Sequence, residues 1–419
     1  MRRVIGNAFS LGAVQIVSQL LPLLSLPYLA RTLGASELGR LGFALSIGQI
    51  MITITDYGFN LSGAKSASVN RNDSLKLTRL FCSITSIRII LAMLGFAVFS
   101  AFYKSNSRSD EDFHLFLAAY TAVLGNIIFP LWFFQGLEQL KFVSLVQIIS
   151  RLVMFLLTFA LIKSPEDVVI ACLLQSIGYV IGAIVVLPLL FRILNVSDFS
   201  WATLLEIRQE LKSGWNLFLS TAAVSAYSSC NTFILGFFVS PTLLGHYNIA
   251  EKMLRGIVTV YGAISSAVYP HVVELAAQSK EKVVNFNKRL LWAFGGASAI
   301  VAILIIILAP TVIPWLFGDK YLQSINILQV FSLMFPLVVV SNILGILTML
   351  PFGMERCFSR ILIISALLNF LLFTPMIKFF SVSGAVWANV IIECFVTLAM
   401  GIALVKSGYI LKSKASMRK

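Results

Sequence analysis

Charge is what this 419-residue sequence has least of. Only 12% of its residues are Asp, Glu, Lys or Arg, about half the roughly 25% usual in a soluble domain. With 58% hydrophobic residues and a mean hydropathy of +0.91, too little polar surface remains to cover a water-soluble globule of this size. Cysteine is scarce too. Cys82, Cys172, Cys230, Cys357 and Cys394 are odd in number and unclustered, which excludes a disulfide framework and a paired-cysteine metal or redox motif. His114, His246 and His271 lie near the ends of apolar runs without ligand-spaced neighbours, so no metal site is expected. The Walker-type phosphate loop, the HExxH pair and the GxSxG elbow are all missing, and each is the local geometry its chemistry requires. No cofactor is expected. Long polar loops are also missing: the largest outer connection is the nine residues from Lys104 to Asp112, too short for a catalytic face.

What the sequence does have is a succession of long apolar runs. One helical crossing of a bilayer takes about 20 predominantly apolar residues. Runs bounded by charge or turn residues place spans near 4–30, 38–61, 80–103, 113–135, 142–162 and 167–191, then near 214–239, 244–270, 290–316, 326–350, 360–377 and 384–406. The first follows Met1-Arg2-Arg3 but continues to Ala30 without a small-residue cleavage site, so it reads as a span and not a signal peptide. The expectation is an all-α integral membrane protein of twelve spans. Its N-terminal six-helix lobe is 1–191, and a cytoplasmic linker at 192–213 carries Arg192, Asp198, Glu206, Arg208, Glu210 and Lys212. The C-terminal six-helix lobe is 214–419, ending in a short basic tail. Proline recurs inside spans (Pro22, Pro27, Pro130, Pro336, Pro375). There it removes a backbone hydrogen bond and kinks the helix, either as ordinary membrane-helix proline or as a flexing point.

The net charge of +14 would suggest nucleic acid in a soluble protein. Here it has a sidedness that explains it without one. With both termini in the cytoplasm, 21 of the 32 Lys and Arg fall on the inner side and 7 on the outer, the positive-inside asymmetry of membrane proteins. The remaining four, Arg88, Arg151, Lys252 and Arg255, lie within spans. The two halves also begin alike: GNAFSLG from Gly6 against GWNLFLS from Gly214, and LGRLGFA from Leu38 against LGHYNIA from Leu244. Six spans per half keep both in one orientation, a parallel repeat about an axis along the membrane normal, with a substrate cavity near the midplane.

Ionisable residues inside spans are costly and by default functional. Asp56 and Arg88 lie at similar depths in spans 2 and 3, Arg151 and Glu393 near the midplane of spans 5 and 12, and Glu251, Lys252 and Arg255 in span 8. Glu251 and Arg255, at i and i+4, share a helix face. Asp56–Arg88 and Glu251–Arg255 therefore read equally as ion pairs holding helices in register or as working charges. Arg151 has no evident sequence partner. The sum is one net positive charge weighted to arginine, whose planar fork suits phosphate oxygens. Arg88, Arg151, Lys252 and Arg255 are the candidate substrate-binding cations. Asp56, Glu251 and Glu393 are the candidate ion-coupling or ion-pairing carboxylates.

PYLARTLG from Pro27, DYGFNLSGAKSAS from Asp56 and LGHYNIAEKMLRG from Leu244 resemble the O-antigen flippases of the Wzx type. These form the polysaccharide-transporter branch of the multidrug/oligosaccharidyl-lipid/polysaccharide exporter superfamily. The resemblance runs the length of the chain and implies a non-enzymatic carrier in the bacterial inner membrane. Such a carrier moves a polyprenyl-diphosphate-linked oligosaccharide repeat unit between leaflets by alternating access, possible ion coupling being shared across the superfamily. Its implied partners are membrane lipid, a polysaccharide polymerase and a chain-length regulator. A drug antiporter of the same superfamily would favour an acidic cavity, and a membrane polymerase or ligase would need a larger outer loop. The expected topology is directly measurable: a periplasm-active reporter fused after Asp110 should be active, and fusions after Arg208 or Lys414 silent. Activity at Arg208 would overturn the six-plus-six division.

Overall fold

A computed structural model describes residues 2–105, 110–228 and 230–408. The described residues form helices and short turns, with no strand among them. Packing divides the chain into two compact units, Met1–Phe233 and Ile234–Lys419. The first holds α1 (Arg2–Asp56), α2 (Phe59–Val69), α3 (Ser74–Ser105), α4 (Asp110–Ile128), α5 (Leu131–Gly136), α6 (Leu140–Leu161), α7 (Val168–Ile193) and α8 (Leu204–Ser228). A short α9 (Asn231–Leu235) straddles the division. The second unit holds α10 (Pro241–Gln278), α11 (Lys280–Leu290), α12 (Gly296–Phe317), α13 (Gln323–Ser332), α14 (Met334–Leu344) and α15 (Glu355–Lys406). Single π-helical turns at Leu291–Gly295 and Gly345–Met349 join α11 to α12 and follow α14.

Helix is the only open-ended way to satisfy every backbone amide within one segment, which lipid demands. Among the described residues nine helical stretches are long and apolar enough to cross a membrane, so the chain is a multi-pass helical membrane protein. Two of the nine, Leu20–Val69 and Glu355–Lys406, contain 50 and 52 residues, which at ~1.5 Å per residue far exceeds one crossing. Neither is straight. Gly34 (φ 77°, ψ 173°) breaks α1 and Ser381 (φ 54°, ψ −136°) breaks α15, both where the charge pattern puts outer turns. The stretch expected as span 7 is not among the nine; it is built from α8 and α9. Arg108 and the tail residues Lys412, Lys414, Arg418 and Lys419 lie outside the described residues.

Local chemistry places the helix ends. Asp73 caps α3 by accepting the Lys76 backbone N–H at 3.0 Å, and that bond, with the Lys76 ammonium beside it, holds its carboxyl below the usual range. Thr203 and Glu206 form a reciprocal capping box at the start of α8: Glu206 accepts from the Thr203 N–H at 2.8 Å, and Thr203 Oγ1 from the Glu206 N–H at 3.3 Å. Accepting that N–H keeps the Glu206 carboxyl low. The linker expected at 192–213 thus becomes helical at Leu204. α10 starts with Pro241 behind the Ser240 cap. Pro130 ends α4 and separates it from α5. α1 ends at Asp56 because Tyr57 (φ 43°) and Gly58 (φ 76°) adopt left-handed backbone. A side chain at Gly58 would also come within 2.8 Å of the Phe218 backbone nitrogen, and the Tyr57 ring stacks on the Phe218 ring with centroids 4.5 Å apart.

In the first unit, Trp132, Phe133 and Phe134 of α5 fill a core with Phe59, Ile84, Val143 and Val186. α4 lies along α7 and approaches it backbone to backbone at Gly125, where a Cβ would sit 2.6 Å from the Val180 nitrogen and 2.7 Å from the Tyr179 Cβ. In the second unit α10 lies against α13 and α14 against α15, burying Tyr247, Phe331, Ile343 and Val396. The Gly125 contact gives a sharp test of packing. Gly125→Ala should lower thermal stability in detergent by about 1–3 kcal/mol, the usual cost of overpacking. Gly401→Ala, whose nearest neighbour would be 3.9 Å away, should be neutral or slightly stabilising.

Candidate functional site

Arg151 projects from α6 into a cavity of about 210 Å³ enclosed within the first unit. Ser25, Gln49, Thr158, Gln175 and Tyr179 share its lining. The Arg151 guanidinium donates to the Tyr179 hydroxyl at 2.9 Å and lies 4.9 Å from the centre of that ring, a hydrogen bond combined with a cation–π contact. Among the described residues it has no carboxylate partner. The Gln175 amide nitrogen, also at this cavity, is buried without a hydrogen-bond partner among the described residues, and the Ser176 hydroxyl lies beside it with only the weakly accepting Cys172 thiol in reach. Buried polar groups left unpaired are costly. A cation with spare donors beside an unpaired amide is suited to a ligand rich in acceptor oxygens.

Asp56 and Arg88 are brought together. Arg88 is 2% exposed, and its Nη2 donates to Asp56 Oδ1 at 2.5 Å. Asn126 donates to the same oxygen at 2.9 Å, and Asn60 to Oδ2 at 2.9 Å. The carboxylate therefore ties the end of α1 to α2, α3 and α4 immediately before the left-handed break at Tyr57. On the same unit Arg40 joins Glu37 (2.9 Å), Glu111 (3.1 Å) and Asp112 (2.9 Å), clamping the second half of α1 to the start of α4.

In the second unit Glu251 and Arg255 pair along α10: Nη2 and Nε of the arginine both donate to Glu251 Oε1, at 2.8 and 3.0 Å. The pair is not sealed off, since the Arg255 side chain is 41% exposed against 13% for Glu251. Lys252 forms no ion pair among the described residues. Glu393 lies on α15, 3% exposed. Its Oε1 accepts the Ser341 hydroxyl of α14 at 2.6 Å, and no cation partners it among the described residues. One turn away the Asn389 amide donates to the Tyr247 hydroxyl at 3.3 Å. Within each unit the charges separate into a pair and unpaired groups. Asp56–Arg88 and Glu251–Arg255 are pairs; among the described residues Arg151 and Glu393 have no ion-pair partner, and Lys252 sits beside Glu251 without bridging to it.

Several contributors were not singled out from sequence. Tyr179, Gln49, Gln175, Asn126 and Ser341 are polar side chains inside apolar runs, a signal weaker than charge but visible in SIGQIM and LLQSIGY. Among the described residues no group of three or more His, Cys, Asp and Glu could hold a metal ion.

Residues 4–276 match the family described as Polysaccharide biosynthesis protein. The chain belongs to that family. Two relatives carry the name "Putative O-antigen transporter". One, from Escherichia coli (strain K12), is 29% identical over 94% of this chain and 95% of its own length. The other, from Shigella dysenteriae, is 26% identical over 94% and 98%. Among solved structures, the lipid II flippase MurJ in an inward closed conformation superposes with a TM-score of 0.73 at 13% identity, covering 96% of this chain and 87% of MurJ. An inward-facing multidrug-resistance MATE family transporter of the MOP superfamily superposes at 0.63 and 14%, covering 97% and 100%. At such identities these structures share the fold. Family and relatives together make this polysaccharide-biosynthesis protein a transporter and not a catalyst.

The buried pair of this family member is testable apart from transport. Asp56→Ala leaves the Arg88 guanidinium buried without its counter-charge and should cost about 3–5 kcal/mol of stability, read as a lowered melting temperature. Asp56→Leu combined with Arg88→Met should recover most of the loss, because a well-packed apolar pair replaces a buried ionic one at little cost.

Proposed function

We propose that this protein flips a polyprenyl-diphosphate-linked oligosaccharide repeat unit, of O-antigen or a similar surface polysaccharide, from the inner to the outer leaflet of the bacterial inner membrane. The observation that carries this reading is the end-to-end match to two relatives named for O-antigen transport. Supporting it is Arg151, a membrane-embedded cation with no carboxylate partner among the described residues, on a largely apolar cavity whose polar lining is amides and hydroxyls. A diphosphate supplies the negative oxygens an arginine fork prefers, and sugar hydroxyls match Gln49, Gln175 and Ser176. Lys252 and Arg255 in the second unit supply further cations. In this reading the spans number twelve, the breaks at Gly34 and Ser381 being outer turns and α8–α9 the seventh span, with both termini cytoplasmic.

Transport proceeds by presenting the substrate site alternately to the two faces, no covalent bond being made or broken. Coupling to a proton or sodium gradient falls first to Glu393, a buried carboxylate with no cation partner among the described residues. Asp56, the other carboxylate inside the bundle that could serve, must first part from Arg88, and Glu251 stays with Arg255. Synthesis of the repeat unit precedes this step, and a polymerase with its chain-length regulator follows it.

Cells lacking the protein should accumulate the lipid-linked repeat unit on the inner leaflet and display none outside. Loss of a polymerase would instead leave single repeat units on the surface, and loss of a drug antiporter would leave the polysaccharide intact and raise sensitivity to cationic compounds. In a complemented strain, Arg151→Lys should retain part of the surface polysaccharide and Arg151→Ala very little, on the order of a tenfold loss or more if a charge-assisted bond to the diphosphate is removed. Wild-type polysaccharide from well-expressed Arg151→Ala would remove Arg151 from the site.

A further inference from the structure

A second recess lies on the first unit, apart from Arg151. It has a volume of about 630 Å³ and sits where α6 begins and α7 ends, the ends given to the cytoplasmic side in the proposed topology. Two side chains of opposite helices, Lys141 and Arg192, line its polar end, with Glu138 beside them. That leaves one net positive charge. Gln139 also lines the polar end, and the remaining lining is apolar and comes from the two facing helices: Phe142 on one side, Val185, Pro188 and Leu189 on the other. Lys141, Phe142, Val185, Pro188 and Arg192 are all exposed, so none of the described residues covers the recess. It is continuous with an outward face of α6 on which Leu145, Ile149, Leu152 and Leu156 are also exposed, a face that meets hydrocarbon.

A water-borne anion would use the cations and waste the trough. A zwitterionic lipid would use the trough without satisfying the charge. A molecule with an anionic head at the interface and a hydrocarbon chain beneath it uses both, and basic recesses between membrane helices on the cytoplasmic side are suited to anionic lipid headgroups. Lys and Arg at this level also extend their charged ends to the interface while their stems lie along the apolar wall. We infer that this recess is a binding site for an anionic phospholipid of the inner leaflet, its phosphate held between Lys141 and Arg192 and one acyl chain lying along Phe142, Val185 and Pro188. The leaflet rests on the proposed orientation; the binding chemistry does not.

The test is lipid retention and thermal stabilisation of the delipidated full-length protein, titrated with phosphatidylglycerol, phosphatidylethanolamine or inorganic phosphate. Phosphatidylglycerol should be retained and raise the melting temperature, while phosphatidylethanolamine and phosphate should do so weakly. Lys141→Ala with Arg192→Ala should reduce phosphatidylglycerol retention by on the order of tenfold, two interfacial cations being lost. Lys280→Ala with Lys282→Ala, an equal loss of charge on exposed α11, should not. Val185→Trp, which fills the trough and leaves both cations, should also weaken retention, and each variant's lipid-free melting temperature shows whether it is folded. Equal retention of the two lipids, or an unchanged affinity in folded Lys141→Ala/Arg192→Ala protein, overturns the site. Stabilisation by phosphate alone that Val185→Trp leaves intact would make it an ion site and overturn the lipid assignment. The reporter fusions test orientation separately: a reversed topology would move the site to the outer leaflet with these binding results unchanged, and a failed transport assay would leave them standing.

Discussion

A charge inside a membrane bundle must find its counterpart within the protein, because hydrocarbon offers neither water nor counter-ions. That constraint sorts the ionisable residues of this chain more cleanly than their positions in sequence do. Arg88 answers it with a counter-charge: a carboxylate at 2.5 Å, itself steadied by Asn60 and Asn126, lets a guanidinium that is 2% exposed remain where it is. The same carboxylate stands at the end of α1, so the charge network and the helix break at Tyr57–Gly58 are one construction. Arg151 answers it only in part. A phenol and an aromatic face orient it but do not neutralise it. The contrast between these two arginines is the physical basis for the proposal that one serves architecture and the other substrate.

How much of this was legible beforehand depended on the strength of the local signal. Apolar runs and the distribution of lysine and arginine announce a helical membrane protein, since lipid leaves few alternatives. Glu251 and Arg255 could be paired from sequence because i, i+4 spacing on a helix is local geometry. Asp56 and Arg88 could be brought to a similar depth, but Asn60 and Asn126 could not be assigned to them, because an asparagine in an apolar run has many potential partners. The break after Asp56 was also invisible: DYG does not disclose that α8 will press against Gly58 and Tyr57. Tyr179 as the partner of Arg151 depends on how α6 meets α7, which no spacing encodes. The lipid-facing recess at Lys141 and Arg192 had no sequence signature, since each residue alone is an ordinary inner-side cation.

The comparisons supply what physics alone does not. A fold shared with both a lipid II flippase and multidrug transporters does not choose a cargo, since function resides in sites carried by a fold. Full-length likeness to proteins named for O-antigen transport narrows the class, and an arginine-weighted set of membrane-embedded charges agrees with an anionic cargo.

The close approach at Gly125 bears on more than packing. Because that glycine has no side chain, α4 rests almost directly on the backbone of Tyr179 and Val180 in α7, and the ring of the same Tyr179 holds the Arg151 guanidinium. The spacing of two helices and the aim of a membrane-embedded cation are therefore mechanically linked through one residue. A tilt of α7 about that contact would move the phenol relative to α6 and re-aim the arginine, like a lever with a very short arm. In a carrier that must release what it has bound, such a linkage lets a movement of whole helices loosen the grip on a cargo without any change in the charge that grips it.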